Sequence, residues 1–272
     1  MLKQRIITAL ILAPIALGGF FLLSGAAFAL FIGAVVTLGA WEWARLAGFQ
    51  AQPVRVAFAA AVAVLLVGLY HLPGLAPVVL VLGILWWLVA TLLVLSFPNS
   101  HGFWSGSAPI KVLIGLLILL PAWQGLVLIK QWPLANWLIF AVMILVWGAD
   151  IGAYFSGRKF GKRKLAPRVS PGKSWEGVYG GLAACLAITV GVGIFRGWSA
   201  GEFVFALLGT ALIVAVSVVG DLTESMFKRQ AGLKDSSNLL PGHGGVLDRI
   251  DSLTAAIPMF TVLLWGAGWG SL

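Results

Sequence analysis

Nine apolar runs, each close to twenty residues long, dominate this sequence and leave little choice of fold. They cover roughly residues 6–23, 26–47, 54–72, 77–97, 110–130, 134–155, 177–196, 203–220 and 253–269. About 20 apolar residues carry a helix across a bilayer, whereas a transmembrane strand needs only about 9–11 with alternating polarity. Within hydrocarbon a helix also satisfies its own backbone polar groups. The runs therefore predict an all-α fold, a polytopic membrane helix bundle of about nine transmembrane helices. Composition agrees, since 60% of the 272 residues are hydrophobic and 10% charged, against about 25% charged in soluble domains. Cys185 is the single cysteine, which excludes a disulfide framework and cysteine-ligated zinc or iron–sulfur. A net charge of +9 would suit a nucleic-acid binder only on a soluble surface. Here the basic residues fall between apolar runs, so no nucleic-acid partner is expected.

Nine spans put the termini on opposite sides, and the basic residues test that arrangement. With the N-terminus in the cytoplasm, sixteen Lys and Arg residues lie inside, and only Lys130 and Arg196 lie outside. The asymmetry is the one the positive-inside rule demands, so the C-terminus is expected outside. Lys3, Arg5, the first apolar run and Ala27-Phe28-Ala29 imitate a secretory signal peptide. A signal's apolar core is about 7–15 residues, shorter than this run, which is therefore read as the first helix. Trp41, Trp43, Trp86, Trp87, Trp132, Trp137, Trp265 and Trp269 lie near predicted span ends and read as interfacial belt residues.

The polar residues divide the chain. Seven of the nine acidic residues lie between Asp150 and Asp251 on the expected cytoplasmic side, with most of the basic ones, and Glu202 alone in that interval falls on the other side. Residues 1–140 are thus expected to be a hydrophobic N-terminal scaffold. Residues 141–272 are expected to be the catalytic region, with cytoplasmic loops 157–176 and 221–250. Asp150 closes an apolar run, where a carboxylate is costly and marks function by default; the bland alternative is an aspartate that snorkels to the surface. In loop 157–176 the basic cluster 158–164 is explained equally well by topology alone. The stretch Ser170-Pro171-Gly172-Lys173-Ser174-Trp175-Glu176 is harder to dismiss. It sets a hydroxyl, a lysine and a carboxylate just ahead of a helix, whose N-terminus suits phosphate. It is not a Walker loop, because position 167 is Pro167 where that motif needs glycine.

Asp221, Glu224, Ser225 and Lys228 recur at i, i+3, i+4 and i+7, one helix face. Such a stripe is often just a solvated helix end. Lys234-Asp235, the glycine-rich Pro241-Gly242-His243-Gly244-Gly245 and Asp248-Arg249-Ile250-Asp251 follow. Those glycines can turn backbone N–H groups toward phosphate. Asp221 and Asp248 arrive from the facing ends of two helices, and hard oxygen ligands suit Mg²⁺ shared with substrate phosphates. Carboxylates, lysines and glycines gathered at a membrane surface point to phosphoryl or nucleotidyl transfer to a lipid.

Residues 225–251, from Ser225 through Lys228-Arg229 and His243-Gly244-Gly245 to Asp248-Arg249-Ile250-Asp251, resemble the signature of the phosphatidate cytidylyltransferases, or CDP-diacylglycerol synthases, at all 27 positions. The Asp150 region and the Ser170–Gly177 stretch are similar as well. The resemblance implies that CTP and phosphatidate give CDP-diacylglycerol and pyrophosphate, with Mg²⁺ and a second cation, divalent or K⁺. It implies a phospholipid-biosynthetic enzyme of the bacterial inner membrane, with its active site facing the cytoplasm, among membrane lipids and as a homodimer. Carried over residue by residue, it implies a metal centre at Asp221 and Asp248, with Ser225 and Lys228 as their catalytic companions. Ser225, Lys228 and Arg229 are implied at phosphate groups, Lys173 and Ser170 at the triphosphate, and Asp150 at metal or lysine. Glu176, Lys234, His243, Gly244, Gly245 and Arg249 complete the implied substrate site, with Arg249 and Asp251 also readable as a structural pair. Three other readings compete with this one, of which a non-catalytic membrane scaffold leaves the long polar signature unexplained. A related lipid-head enzyme, such as a CTP-dependent polyprenol kinase, would use similar charges. A transporter would place its acids near the midplane and show paired repeats, and no repeat is visible here.

Overall fold

The computed structural model describes residues 2–270. Ten helices build it: α1 (Leu2–Phe21), α2 (Gly25–Leu46), α3 (Gln52–His71), α4 (Ala76–Ser96), the short α5 (His101–Trp104), α6 (Ala108–Ile129), α7 (Ala135–Phe160), α8 (Trp175–Arg196), α9 (Ala200–Gln230) and α10 (Leu247–Gly266). Among the described residues eight helices, α1–α4 and α6–α9, are long and apolar enough to cross a membrane. The ninth predicted run also forms a helix, α10, but it begins at Leu247, six residues early. Asp248, Arg249 and Asp251 occupy its opening turns, and its apolar part starts only beyond them.

Two helices overrun their apolar runs. The predicted run 134–155 continues as helix to Phe160, and 203–220 continues to Gln230. At 1.5 Å per residue the 31 residues of α9 reach about 46 Å, against about 30 Å of hydrocarbon. The surplus carries the stripe from Asp221 to Lys228. The basic loop is also more ordered than an all-α reading expects. It holds a small antiparallel hairpin of β1 (Lys164–Ala166) and β2 (Ser170–Ser174), with Ala166 opposite Ser170. Ser174 then caps α8, accepting the Gly177 N–H at 3.2 Å.

Packing centres on α6, whose face against α2, α4 and α10 is almost wholly buried, while α1 is left largely exposed. The tryptophans divide. Trp43, Trp86, Trp87 and Trp132 are buried in the core, whereas Trp137, Trp265 and Trp269 remain exposed. The belt reading is therefore overturned for the first four. The reason is local for Trp43: its indole N–H donates to the Lys111 carbonyl at 2.7 Å, and its ring packs on Phe227. Helices α7 and α8 approach through glycine. A Cβ at Gly181 would lie 2.5 Å from the Ala149 carbonyl oxygen, and one at Gly152 would lie 2.9 Å from that of Gly180. Small residues at such a seam let backbones meet in a membrane.

Side-chain bonds also sort the helix ends. Arg229 Nε donates to the Val169 carbonyl at 3.2 Å, Gln230 reaches the Ser105 carbonyl at 3.3 Å, and the α2 end meets the α10 start through Glu42. At the opposite end Lys130 Nζ donates to the Phe20 carbonyl at 2.6 Å, and Asn136 to that of Phe21 at 3.1 Å. All the chemistry-bearing loops thus share one end of the bundle.

Candidate active site

A cavity of about 340 Å³ opens at that end between α7, α8 and α9, with β2 along one side. Its polar wall carries Asp150, Arg158, Lys173 and Tyr154, and its apolar floor is Val214 and Val218 on α9. The glycine seam creates the opening, since Gly157, Gly177 and Gly181 all line it. Lys173, from β2, reaches across to α9 and pairs with Asp221 at 2.5 Å. The other Asp221 oxygen accepts the Ser225 hydroxyl at 3.1 Å, one helical turn on.

Behind that wall lies a second, buried cluster. Lys228 Nζ pairs with Asp248 Oδ1 at 2.6 Å and with Glu224 Oε1 at 3.0 Å. Asp248 Oδ2 accepts the backbone N–H of Ser236 at 2.9 Å and of Gly245 at 2.7 Å, and the Ser236 hydroxyl lies 2.9 Å away. Glu42, wholly buried on α2, accepts the Ser237 hydroxyl at 2.5 Å and the backbone N–H of Val246 and Leu247 at 3.0 and 2.6 Å. Asp251 stands within electrostatic reach of Asp221, Lys173 and Lys228, between the two clusters.

The predicted site residues separate accordingly. Asp150 and Lys173 line the cavity, and Asp221 and Ser225 join them through the Lys173 pair. Lys228 and Asp248 sit in the buried cluster. Arg249 is exposed and within electrostatic reach of Asp150, and among the described residues it forms no ion pair with Asp251. The structural-pair expectation fails because Asp251 turns inward and accepts the Ser252 N–H at 2.7 Å. Glu176 is committed to its own loop, taking the backbone N–H of Lys162 and Arg163 and the Arg163 side chain, each at 3.1 Å. That hydrogen bond raises the Arg163 pKa above its ordinary value. Ser170 pairs in the hairpin, Arg229 holds Val169, and Lys234 is exposed at the rim. Gly244 sits at φ +85°, a left-handed conformation that glycine adopts without strain. The amide of Gly245, expected to face phosphate, is taken by Asp248 instead. His243 donates its backbone N–H to the Leu240 carbonyl at 2.8 Å, and its Nδ1 has no protein partner.

No group of three His, Cys, Asp or Glu side chains forms a ready-made metal cage among the described residues. Mg²⁺ held together with a substrate phosphate needs only one or two carboxylates, and both aspartates keep spare capacity. Asp221 has one donor on each oxygen, and Asp248 Oδ1 has only Lys228. Neither Glu224 oxygen has an aligned hydrogen-bond donor. Two carboxylates, Glu224 and Asp248, therefore flank the one ammonium of Lys228.

Comparison with known proteins decides the family. Residues 3–266 match the cytidylyltransferase family. The chain belongs to the cytidylyltransferase family. It is similar to a phosphatidate cytidylyltransferase of Pseudomonas aeruginosa, 76% identical over the full length of both chains. A protein of the same name from Haemophilus influenzae is 44% identical over 96% of this chain and 98% of its own. One from Brucella suis is 51% identical over 47% of this chain and 45% of its own. Transfer of a cytidylyl group is generally metal-dependent, in keeping with the carboxylates. Within this cytidylyltransferase fold the sequence reading passed over Glu42, although the rule that flags an acid in an apolar run applies to it as well as to Asp150.

Proposed function

We propose that the chain is a phosphatidate cytidylyltransferase of the bacterial inner membrane, converting CTP and phosphatidate to CDP-diacylglycerol and pyrophosphate. The observation that carries this reading is the Lys173–Asp221 pair at the wall of a cavity that is polar at its mouth and apolar at its floor. Such a cavity suits a lipid whose phosphate must meet a nucleotide at the membrane surface. The polar end faces the cytoplasm, supported by the sixteen-to-two division of basic residues. The working unit is a homodimer, as the family resemblance implies.

In the reaction a phosphatidate oxygen forms a bond to the α-phosphorus of CTP, and the bond from that phosphorus to the β-phosphate bridge breaks. A phosphate monoester has its second pKa near about 6, so it is largely dianionic at neutral pH and needs no strong base. Charge repulsion between the two polyanions is the obstacle, and offsetting it is the work of the site. Lys173 draws the triphosphate toward Asp221, Arg158 adds positive charge at the cavity wall, and Arg249 adds it within electrostatic reach of Asp150. Ser225 holds one Asp221 oxygen in place. Lys228 fixes Asp248 in place from the buried side. Asp221 and Asp248 would hold Mg²⁺, with a second cation, divalent or K⁺, beside them. When bound, such ions offset the charge of the triphosphate and of the departing pyrophosphate. Asp150 acts on Lys173 from across the cavity. Residues 1–140 serve as scaffold to the chemistry of residues 141–272.

The test is pyrophosphate release by protein purified in mild detergent. Release is expected only with CTP, phosphatidate and Mg²⁺ together, and EDTA is expected to stop it. Asp221→Asn is expected to abolish turnover in protein that keeps its helicity. Folded, CTP-binding protein that releases nothing with phosphatidate would shift the reading to another lipid acceptor.

A further inference from the structure

The buried carboxylate of Glu42 has no part in the reaction as described above, yet it accepts four hydrogen bonds. It comes from the penultimate turns of α2, about 200 residues away in sequence from every group it touches. Two of those groups are the backbone N–H donors that open α10. A helix start leaves its first N–H groups without partners, and a polar residue at the N-cap normally supplies one. Here that position is Val246, which makes no side-chain cap. Glu42 takes the place of the cap from another helix, with its negative charge at the positive end of the α10 dipole.

The same carboxylate is bridged to Asp248. The Ser236 hydroxyl lies 3.2 Å from Glu42 Oε2 and 2.9 Å from Asp248 Oδ2, so one side chain spans both acids. Gly245 lies between them in the chain and has no room for a side chain. A Cβ there would fall 2.5 Å from Glu42 Oε1 and would also overlap the Ser236 hydroxyl. The Gly245 and Ser236 amides that hold Asp248 are therefore set by the segment Glu42 grips. Trp43, the next residue, locks the end of α2 against the Lys111 carbonyl and the Phe227 ring of α9, so Glu42 is held as firmly as it holds.

We propose that Glu42 is a positioning residue for cytidylyl transfer: through Ser236, Val246 and Leu247 it fixes where Asp248, and with it Lys228, stands in the site. The inference rests on the proposed function and deepens it. A glutamine cannot replace the carboxylate, because its amide keeps one acceptor oxygen and turns an NH₂ donor toward backbone N–H donors. A displacement of about 1 Å in such a site costs about 100-fold in rate.

The experiment compares wild type, Glu42→Gln and Glu202→Gln, each purified in detergent. Glu202 caps α9 at the opposite end of the bundle and controls for loss of a helix cap as such. Hydrogen–deuterium exchange is expected to rise in residues 235–247 of E42Q and nowhere else. Its kcat is expected to fall by about 10–100-fold, with KM for CTP changed far less and a higher half-saturating Mg²⁺ concentration. E202Q is expected to keep wild-type kcat and Mg²⁺ dependence. Wild-type exchange across 235–247 in E42Q, or a lowered melting temperature with unchanged kcat, would overturn the proposal. Should E42Q not fold, Glu42→Asp keeps the charge one methylene short, and wild-type kcat in that variant would overturn it equally. A wild-type protein that releases no pyrophosphate would instead sink the proposed reaction, while the exchange comparison still decides whether Glu42 holds the Asp248 segment.

Discussion

Lys173 and Lys228 each pair with an aspartate, but their surroundings make the two pairs behave differently. The Lys173–Asp221 pair is about a quarter exposed on both sides, so water and salt screen it and it is worth at most about 1 kcal/mol to the fold. Lys173→Ala is therefore expected to abolish pyrophosphate release while leaving the melting temperature in detergent within a few degrees of wild type. Lys228 is buried between Glu224 and Asp248. Removing one partner of a buried ion pair costs about 3–5 kcal/mol, because the remaining charge is left uncompensated. Lys228→Met is expected to lose both activity and stability, read by thermal unfolding alongside turnover. Wild-type melting in K228M would show that the cluster is not buried as described.

At the scale of the elements, the α7–α8 seam makes the cavity. Gly181→Val would drive a side chain into the Ala149 carbonyl and force the helices apart. Overpacking of this kind costs about 1–3 kcal/mol, and the cavity between the two helices loses its shape. A lower melting temperature together with lost turnover is expected. Gly191→Ala, on the same helix with nothing near its Cβ position, is expected to be silent in both assays. The helices themselves were largely legible in the sequence, because hydrophobic run length answers directly to bilayer thickness. Their ends were not. The polar surplus of α9 and the first turns of α10 stay helical because they bond to one another, and a hydropathy window cannot see that. The hairpin of residues 164–174 was hidden for the same reason. Among site residues, Asp150, Lys173, Asp221, Lys228 and Asp248 stood out as charges within or beside apolar runs. The distribution of roles between cavity and buried cluster did not, since it depends on which loop amides each carboxylate captures. Trp43 likewise reads as interfacial in sequence, because its Lys111 partner lies 68 residues away on another helix.

For the whole molecule, the arrangement of ends predicts sidedness. Gln131 lies in an exposed turn at the Lys130 end, and Lys162 in an exposed loop at the polar end. In intact cells a membrane-impermeant thiol reagent is expected to label Gln131→Cys and to reach Lys162→Cys only after permeabilisation. The native Cys185 is buried and is expected to stay unlabelled in both. The reverse pattern would invert the orientation and place the nucleotide site on the wrong side for CTP. The grip of Glu42 also has a consequence for biosynthesis. Its carboxylate is made some 200 residues before Leu247, its last donor. At about 5–20 residues per second of synthesis, an acid destined for complete burial waits about 10–40 s with none of its partners in existence. During that time it has to remain hydrated at the membrane surface. The Glu42 carboxylate therefore gains its bonding partners only as the tenth helix begins, and the ribosome has nearly finished the chain before the site can close.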